Sequence, residues 1–238
     1  MSTTTVAARF RGPAGIGNGG YVAGLMAARL CRQPAEVTLR RGWPLYTPLR
    51  IAREGGTVQA LDDAGLVVAE AREALLDLVP PAPPTPAEAA AATRWFLASP
   101  YSHSTGLCFV CGSAAPGGLR VFTGQVPGRP DIAAALWHPE PGFADATGAI
   151  APEFLWAALD CAGAFAFTVN AAPQRMLLGR IAARLEGRVA PGEAVIVLGW
   201  QIGREGRKLH AGTALFGADG GLRGIARALW VLPPPVAG

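Results

Sequence analysis

The chain has 238 residues, half of them hydrophobic and 16% charged, with a formal net charge of +4. That is enough apolar material for a sizeable core, in one large domain or two of ordinary size. No apolar run reaches the roughly 18 residues of a membrane span without a charge or a proline; residues 154–170 come closest and contain Asp160.

The basic excess is carried by arginine, twenty against the single lysine Lys208. The arginines are scattered, without basic runs or interleaved aromatics, which disfavours nucleic acid as a partner. A mild positive balance suits a phosphate-bearing small molecule. The four cysteines, Cys31, Cys108, Cys111 and Cys161, do not make a disulfide scaffold in a chain this long and apolar. The first residues, MSTTTVAARFRG, lack the basic start and apolar core of a signal peptide, so a cytoplasmic protein is expected.

In chain order, residues 6–11 alternate weakly and suggest a first strand. The glycine-rich loop 12–20 then feeds an apolar helix expected over 21–31, with Asn18 as its N-cap. A glycine loop at a helix N-terminus presents unpaired N–H groups and the positive end of a dipole, which can hold a phosphate or an oxyanion. The loop is neither a Walker loop nor a dinucleotide fingerprint. Short strands are expected at 36–41, 48–53, 57–62 and 66–73, separated by glycine and proline turn signals. One helix followed by a meander of strands reads as α+β, an antiparallel sheet wrapping the helix.

VPPAPPTP, residues 79–86, is a stiff connector, and 87–97 suits a short helix. It divides the chain into an N-terminal unit, 1–79, a Pro/Ala-rich linker, 80–100, and a C-terminal unit, 101–238. The second unit repeats the order of the first. Candidate strands at 119–123 and 132–137 and a broken loop precede a helix at 152–168. Strands at 177–186, 194–202, 209–216 and 222–232 follow it. LDDAGLVVAEARE in the first half corresponds to FGADGGLRGIARAL in the second, which reads as an internal duplication.

The second helix, PEFLWAALDCAGAFAFT, is apolar apart from Glu153 and Asp160. A helix apolar on every face is normally buried, and burying a lone carboxylate costs several kcal/mol unless it is paired or hydrogen-bonded. Asp160 is therefore either a satisfied core residue or an acid or base held in a dry cleft. Cys108 and Cys111 form a CxxC with His103 nearby. With no second close pair to complete a zinc site, they read as two thiols at a tight turn, and no metal is expected.

The order of strand, loop, long apolar helix and antiparallel strands resembles the hotdog fold, and two copies in one chain resemble the double-hotdog acyl-CoA thioesterases. CFVCGSAAPGGL, residues 108–119, is similar to a Cys-x-x-Cys-Gly…Pro-x-Gly-Leu stretch of hotdog thioesterase-like proteins. In one branch of that family a helix begins His/Asn-Gly-Gly and carries an acid eight residues after the first glycine. The acid is base or nucleophile, and the first glycine's N–H from the partner unit holds the thioester oxygen. Here the motif splits between the halves. Asn18-Gly19-Gly20 has Ala27 at the acid position, whereas Asp160 has Pro152, which lacks an N–H, at the glycine position.

The resemblance implies one composite site, with Asp160 as base or nucleophile and Gly19 N–H, joined by Gly20 N–H, as oxyanion donor. Ala27 and Pro152 would fall together in an opposite site that has lost both functions. Asn18, Tyr21, Trp156 and His138 are the expected substrate-binding residues. The implied substrate is an acyl thioester of coenzyme A or a carrier protein, with no cofactor beyond that coenzyme A and with a homo-oligomer as a further partner. Two features depart from the family. Ala164 stands where a Thr or Ser follows the acid by one turn, with Thr168 a turn later, and no separated Asp, Gln and Thr set stands out, although Asn170, Gln174 and Gln201 could supply an amide. A hydratase's Asp-x4-His is missing, since Phe165 stands five residues after Asp160. A non-catalytic acyl-CoA-binding protein is the rival reading.

Overall fold

The computed structural model describes residues 2–12, 15–30, 33–104, 106–170 and 175–234, with only the backbone at 103 and 104. Eleven strands form one antiparallel sheet on which the helices lie. The strands are β1 (Ser2–Thr4), β2 (Ala35–Leu39), β3 (Leu49–Glu54), β4 (Thr57–Leu61), β5 (Val67–Glu73), β6 (Gly124–Val126), β7 (Arg129–Trp137), β8 (Leu177–Leu185), β9 (Val195–Glu205), β10 (Lys208–Phe216) and β11 (Leu222–Val231). The helices are α1 (Gly19–Ala27), α2 (Pro86–Ala98), the short α3 (Tyr101–Ser104) and α4 (Pro152–Thr168). The α+β expectation therefore stands.

The sheet order is β1-β3-β4-β5-β2-β8-β11-β10-β9-β7-β6. The halves of the chain meet where β2 pairs antiparallel with β8, in the register Val37 to Ile181. Outward from that seam, each half lays down its strands in the same order. The first strand after the helix comes first, then the fourth, third and second.

Two expected strands are absent. Val6 makes only an isolated bridge to Leu45, and Ala8–Phe10 is a turn of 3-10 helix. The Phe10 carbonyl is spent on Asn18 N–H and that of Arg11 on Phe109 N–H, so this segment packs on loops instead of the sheet. Likewise 119–123 is not a strand. Leu119 and Val121 donate to the carbonyls of Phe109 and Val110, and Arg120 takes a left-handed φ of 62°. The first helix starts two residues earlier than expected, at Gly19, and ends at Ala27, because Arg29 and Leu30 tighten to i−3 bonds with Met26 and Ala27.

In the connector, Thr85 and Glu88 form a reciprocal capping box that starts α2 at Pro86. α2 buries Ala89, Ala92 and Phe96 against β6 and β7. This approach requires Gly124, where a Cβ would lie 2.1 Å from the Ala92 carbonyl oxygen.

The largest core cluster joins α1 and α4 to one face of the sheet. The two helices run antiparallel, Gly20 facing Trp156, Ala157 and Asp160 while Gly24, one turn on, faces Glu153. A Cβ on Gly20 would sit 2.5 Å from Asp160 Cβ, and one on Gly24 2.5 Å from Glu153 Cα. The glycines therefore let the helix backbones touch, and that contact carries Asp160 to the N-terminus of α1.

Candidate active site

The first turn of α1 sets the geometry. Asn18 has extended backbone angles, and its Oδ1 accepts the Tyr21 N–H at 2.9 Å, capping the helix. Its Nδ2 donates to Asp160 Oδ2 at 3.0 Å, and Gly20 N–H donates to the same oxygen at 2.9 Å. Asn18 N–H goes to the Phe10 carbonyl and Val22 N–H to that of Asn18. Of the amides from Asn18 to Val22, Gly19 N–H alone has no partner among the described residues. Gly19 is half-buried at the seam, where a Cβ would meet Leu178 of β8 at 2.9 Å and Leu39 of β2 at 3.2 Å.

Asp160 is 2% exposed, and its Oδ1 is buried without a partner among the described residues. Burial pushes its pKa up to about 7. The Gly20 and Asn18 hydrogen bonds oppose that rise, and Cys108 adds to it. Such a carboxyl changes protonation state near neutrality, and it faces the positive end of a helix dipole. Chemically the arrangement offers a desolvated acid or base, with a free backbone donor on the neighbouring residue of the opposing helix.

The other candidates are scattered. Tyr21 is buried in an aromatic cluster, stacked on Phe10 at 4.1 Å and within 6 Å of Phe109 and Phe154. Burial pushes its phenol up to about 12, with Glu153 adding to the shift and Arg9 opposing it. Trp156 opens onto a different concavity, of about 300 Å³, whose lining includes Gly24, Ala27 and Pro152. Ala27 and Pro152 thus fall together at the opposite end of the helix pair from Asp160. His138 is exposed, and its ring nitrogen lies 3.3 Å from the Gly192 carbonyl oxygen, on the turn between β8 and β9. Gly20 N–H, expected as a second oxyanion donor, already serves Asp160.

The amides suggested for a separate Asp, Gln and Thr set are engaged elsewhere. Asn170 bonds Gln125 and Pro130, and Gln201 donates to the Ala166 carbonyl. Gln174 and Cys31 lie outside the described residues, as does the His103 side chain. Thr168 is buried, and its carbonyl accepts the Tyr101 hydroxyl.

Sequence reasoning missed one neighbour of the site. Cys161, the residue after Asp160, meets the CxxC turn, with its sulfur 4.0 Å from that of Cys108. The adjacency of Cys161 to Asp160 is the only trace of this in the sequence.

No protein-family model matches the chain, and no curated protein matches its sequence. Solved structures do match its fold. The tesB protein of Mycobacterium avium subs paratuberculosis superposes with a TM-score of 0.63 at 15% identity, over 98% of this chain and 92% of that one. A thioesterase candidate from Novosphingobium aromaticivorans gives a TM-score of 0.62 at 15% identity, over 97% and 94%. At 15% identity the likeness is one of fold: the chain shares the hotdog fold of these structures. Among the described residues, no helix is long and apolar enough to cross a membrane.

Proposed function

We propose that the chain hydrolyses an acyl thioester at a composite site between two tandem hotdog units, 1–79 and 101–238, joined through the 80–100 connector. The repeated strand order on either side of the β2–β8 seam supports the doubling. The antiparallel helix pair supports the pseudo-twofold that it implies. The observation that carries the function is the approach of Asp160 Oδ2 to Gly20 N, 2.9 Å apart, with Gly19 N–H left over beside it.

In this reading the carbonyl oxygen of a thioester, of coenzyme A or a carrier protein, docks on Gly19 N–H. The donor stabilises the oxyanion as the carbonyl carbon becomes tetrahedral, a contribution worth about 10²–10³ in rate for one such group. Asp160 then takes a proton from the attacking water, or attacks the carbonyl itself to give an anhydride that water cleaves. The carbon–sulfur bond breaks and the thiol leaves. Asn18 and Gly20 hold the carboxylate in place. Leu39 and Leu178 wall the approach to Gly19, and Tyr21 lies behind Asn18 in the aromatic cluster. Catalysis stays on Asp160 and Gly19, with Gly20 moved from oxyanion donor to holder of the acid. The setting is the cytoplasm, where acyl thioesters are made, and a second chain can pair with the first.

Asp160→Asn is isosteric and keeps an acceptor for Gly20 N–H. Thiol release from a panel of short, medium, long and aromatic acyl-CoAs, active in the parent protein and lost in a folded Asp160→Asn, is the expected result. Full activity in that variant would remove Asp160 from the reaction. The near-complete burial of Asp160 favours a second reading, a protein that binds acyl-CoA without turnover. Saturable binding with no thiol release by the parent protein would establish it.

A further inference from the structure

We infer that Cys108, Cys111 and Cys161 form a three-thiolate binding site for one zinc-class divalent cation, tying the CxxC turn to the helix that carries Asp160. The three sulfurs come from segments about fifty residues apart, yet all lie within 4.8 Å of one another, with Cys108 and Cys161 at 4.0 Å. Tetrahedral zinc with bonds of about 2.3 Å sets its sulfurs about 3.8 Å apart. The observed spacing is close to that and about twice the length of a disulfide bond. All three side chains are buried.

A buried cysteine can act simply as a small hydrophobe, but the build of the CxxC turn argues against that here. The turn closes with Gly112 N–H on the Cys108 carbonyl at 2.8 Å. It is so tight that a Cβ on Gly112 would lie 2.5 Å from the Gly106 oxygen. Cys-x-x-Cys is also the spacing by which one turn supplies two zinc ligands. Asn18 Nδ2 donates to Asp160 Oδ2 at 3.0 Å and to the Cys108 sulfur at 3.9 Å, so a polar donor already reaches the sulfur cluster. Thiolate sulfurs are ligands that suit a borderline-soft d¹⁰ ion.

The site is independent of thioester hydrolysis, and its test reads the metal directly. The reduced, metal-stripped full chain is titrated with Co²⁺ and then Zn²⁺. The expected result is one thiolate-to-cobalt charge-transfer band that saturates at one ion per chain and is displaced by Zn²⁺, with a rise in melting temperature on metal addition. Cys161→Ser and Cys111→Ser, each still folded by circular dichroism, should weaken binding at least about tenfold. No band at stoichiometric cobalt in reduced, folded parent protein would overturn the site, as would unchanged binding in Cys161→Ser. Inactivity toward thioesters would leave these readouts untouched.

Discussion

Gly20 donates its amide hydrogen to Asp160 Oδ2 across 2.9 Å, linking residues 140 positions apart in the chain. Both partners need the close helix contact. Without the glycine's missing side chain the helices could not approach, and without that approach the buried carboxylate would lose a charge-assisted hydrogen bond.

Gly20→Ala places a Cβ 2.5 Å from Asp160 Cβ and 2.7 Å from the Trp156 carbonyl oxygen. We expect a loss of about 1–3 kcal/mol from overpacking, read as a fall of about 2–4 °C in melting temperature per kcal/mol for a chain of this size. Gly24→Ala meets Glu153 Cα at 2.5 Å and should destabilise comparably. Of the two variants, only Gly20→Ala should also abolish thioester turnover, because Gly20 and not Gly24 donates to the acid. Equal activity losses in the two variants would count against that role.

Asn18 has two separable duties, capping α1 and donating to Asp160. Asn18→Ser keeps a capping oxygen and removes the amide donor. It should retain near-parental stability while thiol release falls. Asn18→Ala loses both and should cost a further ~1 kcal/mol in chemical denaturation. A Ser variant as unstable as the Ala variant would show that the cap is not what Asn18 contributes.

α4 is seated on the sheet over Gly199 of β9, where a Cβ would lie 2.1 Å from the Ala162 carbonyl oxygen. That backbone approach is closer than the 2.7 Å at Gly20, and backbone cannot yield as a flexible side chain can. Gly199→Ala should therefore destabilise more than Gly20→Ala does, by several kcal/mol on the overpacking scale. A melting temperature within a few degrees of the parent would contradict the packing described.

Arg40 and Glu70 make an ion pair of 2.7 Å, with the Arg40 side chain 55% exposed. Solvent screening leaves such pairs little net effect. Arg40→Ala should change unfolding free energy by no more than about 0.5 kcal/mol.

Sequence patterning located most elements to within a residue or two. α4 was expected at 152–168 and lies there, because Pro152 opens an apolar run that no glycine pair or second proline breaks. β8 to β11 follow alternating runs bounded by glycine turns. The two missed strands, at 6–11 and 119–123, have the residue types of strands, but their backbone groups bond loop and cap residues instead of sheet neighbours: Arg11 accepts from Phe109, and Leu119 and Val121 donate to Phe109 and Val110. Strand propensity describes a half-buried surface, and burial against a loop satisfies it equally well.

What the amino-acid order determined alone was local: the helices, the strands, the turns, and an isolated carboxylate in an apolar helix. Tertiary structure decided which of two adjacent glycines bonds that carboxylate, that Gly19 N–H has no partner among the described residues, that Trp156 and His138 lie apart from it, and that Cys161 joins Cys108 and Cys111. The physical reason is range. Helix and strand periodicities act over a few residues, whereas these contacts join residues tens of positions apart or more. The antiparallel packing of α1 on α4 brings Gly20 to Asp160, and the packing of the 108–111 turn on α4 brings Cys108 and Cys111 to Cys161.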